Sequence, residues 1–249
     1  MTQITVAITL MSLRLLGMFI AMPMFGLRVI SMRLRVALSL AIAIGLAPGI
    51  SPASMTEQVV QFSYVFAATE LLIGLMVGFL IRLGFLAIEF LAEVLSIQSG
   101  LSFAASTFRD PVLQSGLMGE LLGMVTLAIA FLMNVHLVVL DLLIRSFKVI
   151  PFGQFPKQWD VGALVTLIQH GFVFGVVLAL PAIVVYFLFN LTQGMLARVS
   201  PQMNLFSVGF AITVPVSFVV LALILPSFPE VVQRALEAPV AMVRQGLSP

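Results

Sequence analysis

VVQFSYVFAATELLIGLMVGFLI, residues 59–81, carries a charge at one position only, Glu70. A membrane-spanning helix needs about 20 mainly apolar residues, and this stretch supplies them without a proline. The sequence predicts a long helix here. Residues 83–97 follow almost without a break and carry Glu89 and Glu93.

The same pattern repeats outward along the chain. Residues 4–27 are apolar except for Arg14 and end in the breaker-rich Met22-Pro23-Met24-Phe25-Gly26. Residues 36–50 form a shorter apolar run ending at Ala47-Pro48-Gly49, and SPASMTEQ is a plain loop. On the other side, residues 117–144 give a further helix. Residues 146–160 read as a loop with two prolines and the only Trp. Residues 161–197 exceed one ordinary span, and Pro181 with the glycines predicts a kink or a hairpin. Residues 198–204 read as a polar turn and 205–225 as the last strongly apolar helix. The tail after Pro226 and Pro229 is amphipathic and suits an interface or a partner better than a span.

Composition excludes whole classes of function. Of 249 residues, 61% are hydrophobic and 9% charged, with 12 Lys+Arg against 10 Asp+Glu and a net charge of +2. Soluble domains carry about 25% charged residues, so too few polar side chains exist here to cover a water-facing core. A soluble enzyme, a disordered regulator and a nucleic-acid binder are excluded, the last because no dense basic patch is present. With Cys at 0, disulfides, thiolate catalysis and Cys-ligated metals are excluded too. The N-terminus has no basic n-region and Arg14 interrupts its apolar run, which predicts that the first segment is retained. The basic cluster Arg28, Arg33 and Arg35, with no acid nearby, would place its loop in the cytoplasm by the positive-inside rule, but loop 146–160 leans basic too, so orientation is only weakly specified.

The residues offer no catalytic constellation. His136 and His170 are far apart, no HExxH, Walker A or G-x-S-x-G is present, and no metal or cofactor is expected. The ionisable residues inside apolar runs are the candidates for buried or inter-subunit charge: Arg14, Glu70, Glu89, Glu93 and, beside the polar turn, Arg198. Arg14 has two readings. One is pairing with a carboxylate among Glu70, Glu89 and Glu93. The favoured one is snorkelling, or a helix end surrounded by protein. Glu89 and Glu93 share a helix face at i,i+4, so a proton or cation site is conceivable, with Arg82 two turns away as a compensating charge. Gly74 and Gly78 form a small-xxx-small pair, read equally as a close helix approach or as the ordinary glycine content of membrane helices. Gln98–Gly116 is small, polar and broken by glycines and by Asp110-Pro111. Such backbone is tolerated at membrane depth only where protein buries it or it lines a cavity, and the residues alone favour a connecting loop.

Five blocks, in order, carry a resemblance: RLLGMFIAMPMFG with the basic stretch and LAP after it, ELLIGLMVGF, QSGLSFAASTFRDP, NVHLVVLDLLIRSFKVIPFG, and LALPAIVVYFLFNLTQGMLARVSPQMNLFSVGF. Together they resemble the FliR family of flagellar export-gate proteins, which shares its pattern with the T component of injectisomes. Ser31 and Ala211 stand where the family often has proline, and two extra residues lie between Phe103 and Asp110.

The resemblance implies an all-α polytopic membrane protein built of helical hairpins. A P-like part (1–159) would be followed by a Q-like hairpin (160–229) and an amphipathic tail (230–249), assembling in a helical ring of subunits. It implies a non-enzymatic subunit of the export gate in the bacterial inner membrane, at the flagellar basal body. Its partners would be the P and Q components, the B switch component, the A export-motor component and unfolded flagellar substrates. The loop 98–116 would plug the portal, through Gly100, Leu101, Ser102, Phe103, Phe108, Asp110 and Pro111. Pro201, Gln202 and Asn204 would form the turn of the Q-like hairpin. The injectisome subunit is the alternative. A secondary transporter ranks lower, since no inverted repeat is visible.

Overall fold

A computed structural model describes residues 2–25, 30–49, 64–100, 117–155, 161–199 and 205–247. Among these it has eight α-helices and no strand. They are α1 (Thr2–Ala21), α2 (Met32–Leu46), α3 (Tyr64–Gln98), α4 (Leu117–Leu132), α5 (Val135–Val149), α6 (Val161–Val199), α7 (Leu205–Ile224) and α8 (Phe228–Gly246). Five helices are long and apolar enough to cross a membrane, or six spans if the broken pair α4/α5 counts as one. The chain is an all-α polytopic membrane protein.

Local chemistry sets the helix ends. Met22 precedes Pro23, whose ring disfavours helical backbone before it, and α1 stops at Ala21. Ser31 caps α2 by accepting the Leu34 N–H at 3.4 Å. From Tyr64 on, the two expected apolar runs are one helix, α3, with 35 residues. At 1.5 Å per residue it is about 52 Å long, against a hydrocarbon core of about 30 Å. It ends at Gly100, whose φ of +72° is a left-handed cap.

Three expectations are corrected. The predicted helix 117–144 breaks at Asn134, whose φ of +57° interrupts the helical backbone between α4 and α5. The loop expected from Ser146 begins only after Val149, because Ser146 and Phe147 lie on the buried face of α5. Residues 161–199 form one continuous helix of 39 residues with Pro181 inside it, not a hairpin. A proline deletes one helical hydrogen bond, and the long apolar runs on either side continue the helix past it. In the tail, Phe228, Val232, Leu236 and Val243 of α8 are buried.

The described chain divides into two compact units. The first comprises Met1–Gly84, Asn134–Leu167 and Leu236–Pro249. Here α1 packs on α2 and crosses α3 at glycines. A Cβ on Gly74 would lie 1.9 Å from the Arg14 carbonyl oxygen, and one on Gly78 would lie 2.7 Å from that of Met18. The small-xxx-small pair is therefore a close helix approach. The second unit comprises Phe85–Met133 and Ile168–Ala235. In it Gly175 of α6 lets the backbone of α3 come near, with Ala87 Cα 3.0 Å from where a Cβ would stand, and Phe90 meets Phe172 edge-on at 5.4 Å. The α3 span is 61% buried, whereas the α2 span is 11% buried and the α6 span 22%. Helix α3 is thus the most buried of these three spans, while α2 and α6 leave most of their span exposed.

Candidate functional site

Arg14 does not snorkel. Its side chain and that of Glu70 are both fully buried in the first unit. The Arg14 Nε donates to Glu70 Oε2 at 2.6 Å and Nη2 donates to Glu70 Oε1 at 3.0 Å, a two-pronged pair. The remaining donors are used as well. Nη1 donates to Ser146 Oγ at 3.1 Å, and Nη2 reaches the Ile150 carbonyl at 3.4 Å. The Phe147 ring stands 4.6 Å from the guanidinium carbon and the Phe152 ring 6.0 Å from it.

The carboxylate is equally well held. Glu70 Oε1 also accepts the Gly153 N–H at 2.9 Å. Gly153 has φ +76°, in a turn closed by Gln154 N–H donating to Pro151 O at 3.2 Å, and it packs against the Phe66 ring. A side chain at this position would meet both backbone strain and that ring. Two opposite charges, each costly alone in an apolar medium, thus form a neutral cluster joining α1, α3, α5 and the turn after α5.

Close helix packing explains why burial wins over snorkelling. Arg14 is on the α1 face that meets α3, at the glycine seam. Its side chain enters the protein, and Glu70 lies one turn of α3 from Gly74.

A second polar chain lies in the other unit. The Tyr186 hydroxyl donates to Ser217 Oγ at 2.6 Å, and Ser217 Oγ donates to Thr213 O at 2.7 Å. Thr213 Oγ1 lies 3.0 Å from Gly209 O and 3.2 Å from Ser99 O, both acceptors. Ser99 precedes the left-handed cap at Gly100, so α6 and α7 together hold the point where α3 enters the 101–116 segment. Tyr186→Phe is expected to lower stability by about 1 kcal/mol, the usual worth of one buried hydrogen bond. Denaturant unfolding of the detergent-solubilised chain reads this directly.

The other predicted residues are placed as follows. Glu89, Glu93 and Arg82 are exposed on α3, and Arg198 is exposed in the last turn of α6. There its charge complements the negative end of the helix dipole. Glu70, the fully buried acid among the described residues, is already paired. Among the described residues no group of His, Asp or Glu is placed to hold a metal. Leu101, Ser102, Phe103, Phe108, Asp110, Pro111, Pro201, Gln202 and Asn204 lie outside the described residues. Reading from sequence missed Ser146, Phe147, Phe152 and Gly153 around Arg14, and the Tyr186–Ser217–Thr213–Ser99 chain. The available signal was small: a hydroxyl pair at i,i+4 in an apolar helix, Thr213 and Ser217, and one of only two tyrosines.

The sequence can be set beside those of known proteins. The pattern of the family described as bacterial export proteins, family 1, matches residues 5–238. Flagellar biosynthetic protein FliR of Escherichia coli (strain K12) is 31% identical over 222 residues, covering 86% of this chain and 82% of that protein. FliR of Pectobacterium carotovorum is 32% identical over 221 residues, covering 87% and 83%. FliR of Aquifex aeolicus is 28% identical over 227 residues, covering 90% and 87%. With this match reaching from α1 into α8, the chain belongs to bacterial export protein family 1, the family of the flagellar biosynthetic protein FliR.

Proposed function

We propose that the chain is a non-enzymatic channel and scaffold subunit of the flagellar type III protein export gate in the bacterial inner membrane. The observation that carries this reading is the family match over residues 5–238, combined with five helices suited to a membrane. The relatives named above are flagellar, which favours the flagellar gate over the injectisome. In this reading residues 1–159 act as the P-like part, 160–229 as the Q-like part and 230–249 as a closing amphipathic tail. The P and Q components complete a ring with it, the B and A components join from outside, and unfolded flagellar subunits pass through.

The plug belongs to the same proposal. Residues 98–116 connect two apolar helices with small and breaking residues, which suit a cavity rather than lipid. The left-handed cap at Gly100 and the Thr213 bond to Ser99 give the segment a fixed point of departure. Deleting residues 100–111 is expected to make the assembled gate leak ions, measured as conductance of reconstituted complexes. Co-purification with the P and Q components shows whether the deleted chain still assembles. Unchanged conductance in assembled complexes sinks the plug, and failure of the intact chain to co-purify with these components sinks the subunit reading.

A further inference from the structure

Helix α3 is 61% buried over its span, and its open side is narrow. Between Phe79 and Ile97 its exposed residues are Phe79, Arg82, Glu89, Glu93 and Ile97, and Leu86 lies half-buried in line with them. At 100° per residue these six fall in one sector about 80° wide. They follow one another at intervals of 3, 4, 3, 4 and 4 residues, close to the spacing with which one helix meets another along a seam.

Neither lipid nor water suits this stripe. Acyl chains do not suit Arg82, Glu89 and Glu93, because charges inside the apolar layer are costly and face protein or a water-filled cavity instead. Water does not suit Phe79 and Ile97, which are 44% and 60% exposed at the two ends. Charged and apolar side chains sharing one line fit a helix patterned in the same way. Arg82 and Glu93 join no ion pair among the described residues. They leave the same face of α3 about 16 Å from each other.

We propose that this stripe is a docking site for one helix of another membrane protein, which carries a basic side chain opposite Glu89 and Glu93 and an acidic one opposite Arg82. Glu89 and Glu93 repel one another at i,i+4, and a cation set against both relieves that. The order of charges also excludes a second copy as the occupant. Two copies inserted in the same sense bring their α3 helices together parallel, with Arg82 against Arg82 and Glu93 against Glu93. Complementary charge needs a different chain. Polar positions within an apolar seam fix register, so these pairs set which stretch of the partner helix lies against α3. The inference rests on the export-gate reading only for the partners used in its test.

The test uses the full chain, co-expressed with the P and Q components and carrying a photo-crosslinker at Ile97, an exposed position one turn from Glu93. Mass spectrometry of the crosslinked product is expected to find a helix of one component, with a Lys or Arg within two turns of the captured point. Glu93→Lys should weaken retention of that component at least about 30-fold on dilution in detergent, since like charges then meet across the seam. Changing the partner's basic residue to Glu should restore its retention by the Glu93→Lys chain, which a folding defect would not allow. Crosslinks to lipid alone, to this chain itself, or to a helix without a nearby basic residue overturn the proposal. So does a Glu93→Lys chain that retains the component as the intact chain does, or a reversal in the partner that restores nothing. Those outcomes leave the export-gate reading standing, whereas an intact chain that retains neither component overturns both.

Discussion

Glu70→Ala is expected to destabilise the protein by about 3–5 kcal/mol, the range for removing one partner of a buried ion pair. The effect comes from what is left behind. Arg14 keeps its charge, its side chain is fully buried, and its remaining acceptors are one hydroxyl and one distant carbonyl. The Gly153 N–H loses its acceptor at the same time. Glu70→Gln retains a carbonyl oxygen for Gly153 but not the charge, and should fall between the two.

Replacing both members with apolar residues, Arg14→Met with Glu70→Met, should recover much of the loss, because no unpaired charge remains. The exposed pair of Arg234 and Glu230 serves as the reference. Its removal should be undetectable, since water screens such pairs. Denaturant unfolding in detergent, with accumulation of the protein in membranes, measures the series. A Glu70→Ala loss no larger than that of Arg234→Ala would remove the clamp from the account of stability.

Gly74→Ala should cost about 3 kcal/mol or more, at the upper end of overpacking effects. The added carbon would meet a backbone oxygen 1.9 Å away, and backbone cannot swing aside as a side chain can. The α1–α3 seam has to open, and the oxygen concerned is that of Arg14 itself. The substitution therefore also pulls on the ion pair, and its effect should be non-additive with Glu70→Ala. Gly123→Ala is the contrast. It sits exposed in α4 with nothing within 4 Å of its missing Cβ, so helix propensity makes it neutral or slightly stabilising. Thermal unfolding of the two alanine variants side by side decides the matter. Similar melting temperatures would mean that the glycine seam does not hold the helices together.

Much of the fold is legible in residue order. A run such as 59–97 has too few charges for water and too few breakers for a loop, so a helix follows from the segment alone. The start of α2 lies four residues before the apolar run read at 36–50, although its cap is local: Ser31 accepts the Leu34 N–H within the same turn. Legibility fails where the deciding contact is distant. Pro181 and the glycines around it suggest a kink or a hairpin, and the hairpin is absent because the segment is one helix on both sides of the proline. Asn134 looks like an ordinary helix residue, yet it adopts a left-handed conformation that divides α4 from α5. The apparent loop from Ser146 begins as the last turn of α5, since the stretch also has to present Ser146 and Phe147 to Arg14.

The candidate site divides in the same way. An arginine and a glutamate alone in apolar runs announce themselves as charges that need an answer. Which of three acids answers Arg14 is set by the α1–α3 seam, 56 positions apart in the chain. Glu89 and Glu93, equally unusual in sequence, are exposed on the same helix as Glu70.

By itself, the order of residues determined that this chain belongs in a membrane, that it is helical, and which charges stand out. Those properties depend on local hydropathy and backbone preference, which each segment carries with it. Only the tertiary structure decided that Arg14 is buried with Glu70, that the glycines form a seam, and that Thr213 holds the end of α3. Each of these depends on which faces of separate helices meet, and that follows from packing of the chain as a whole.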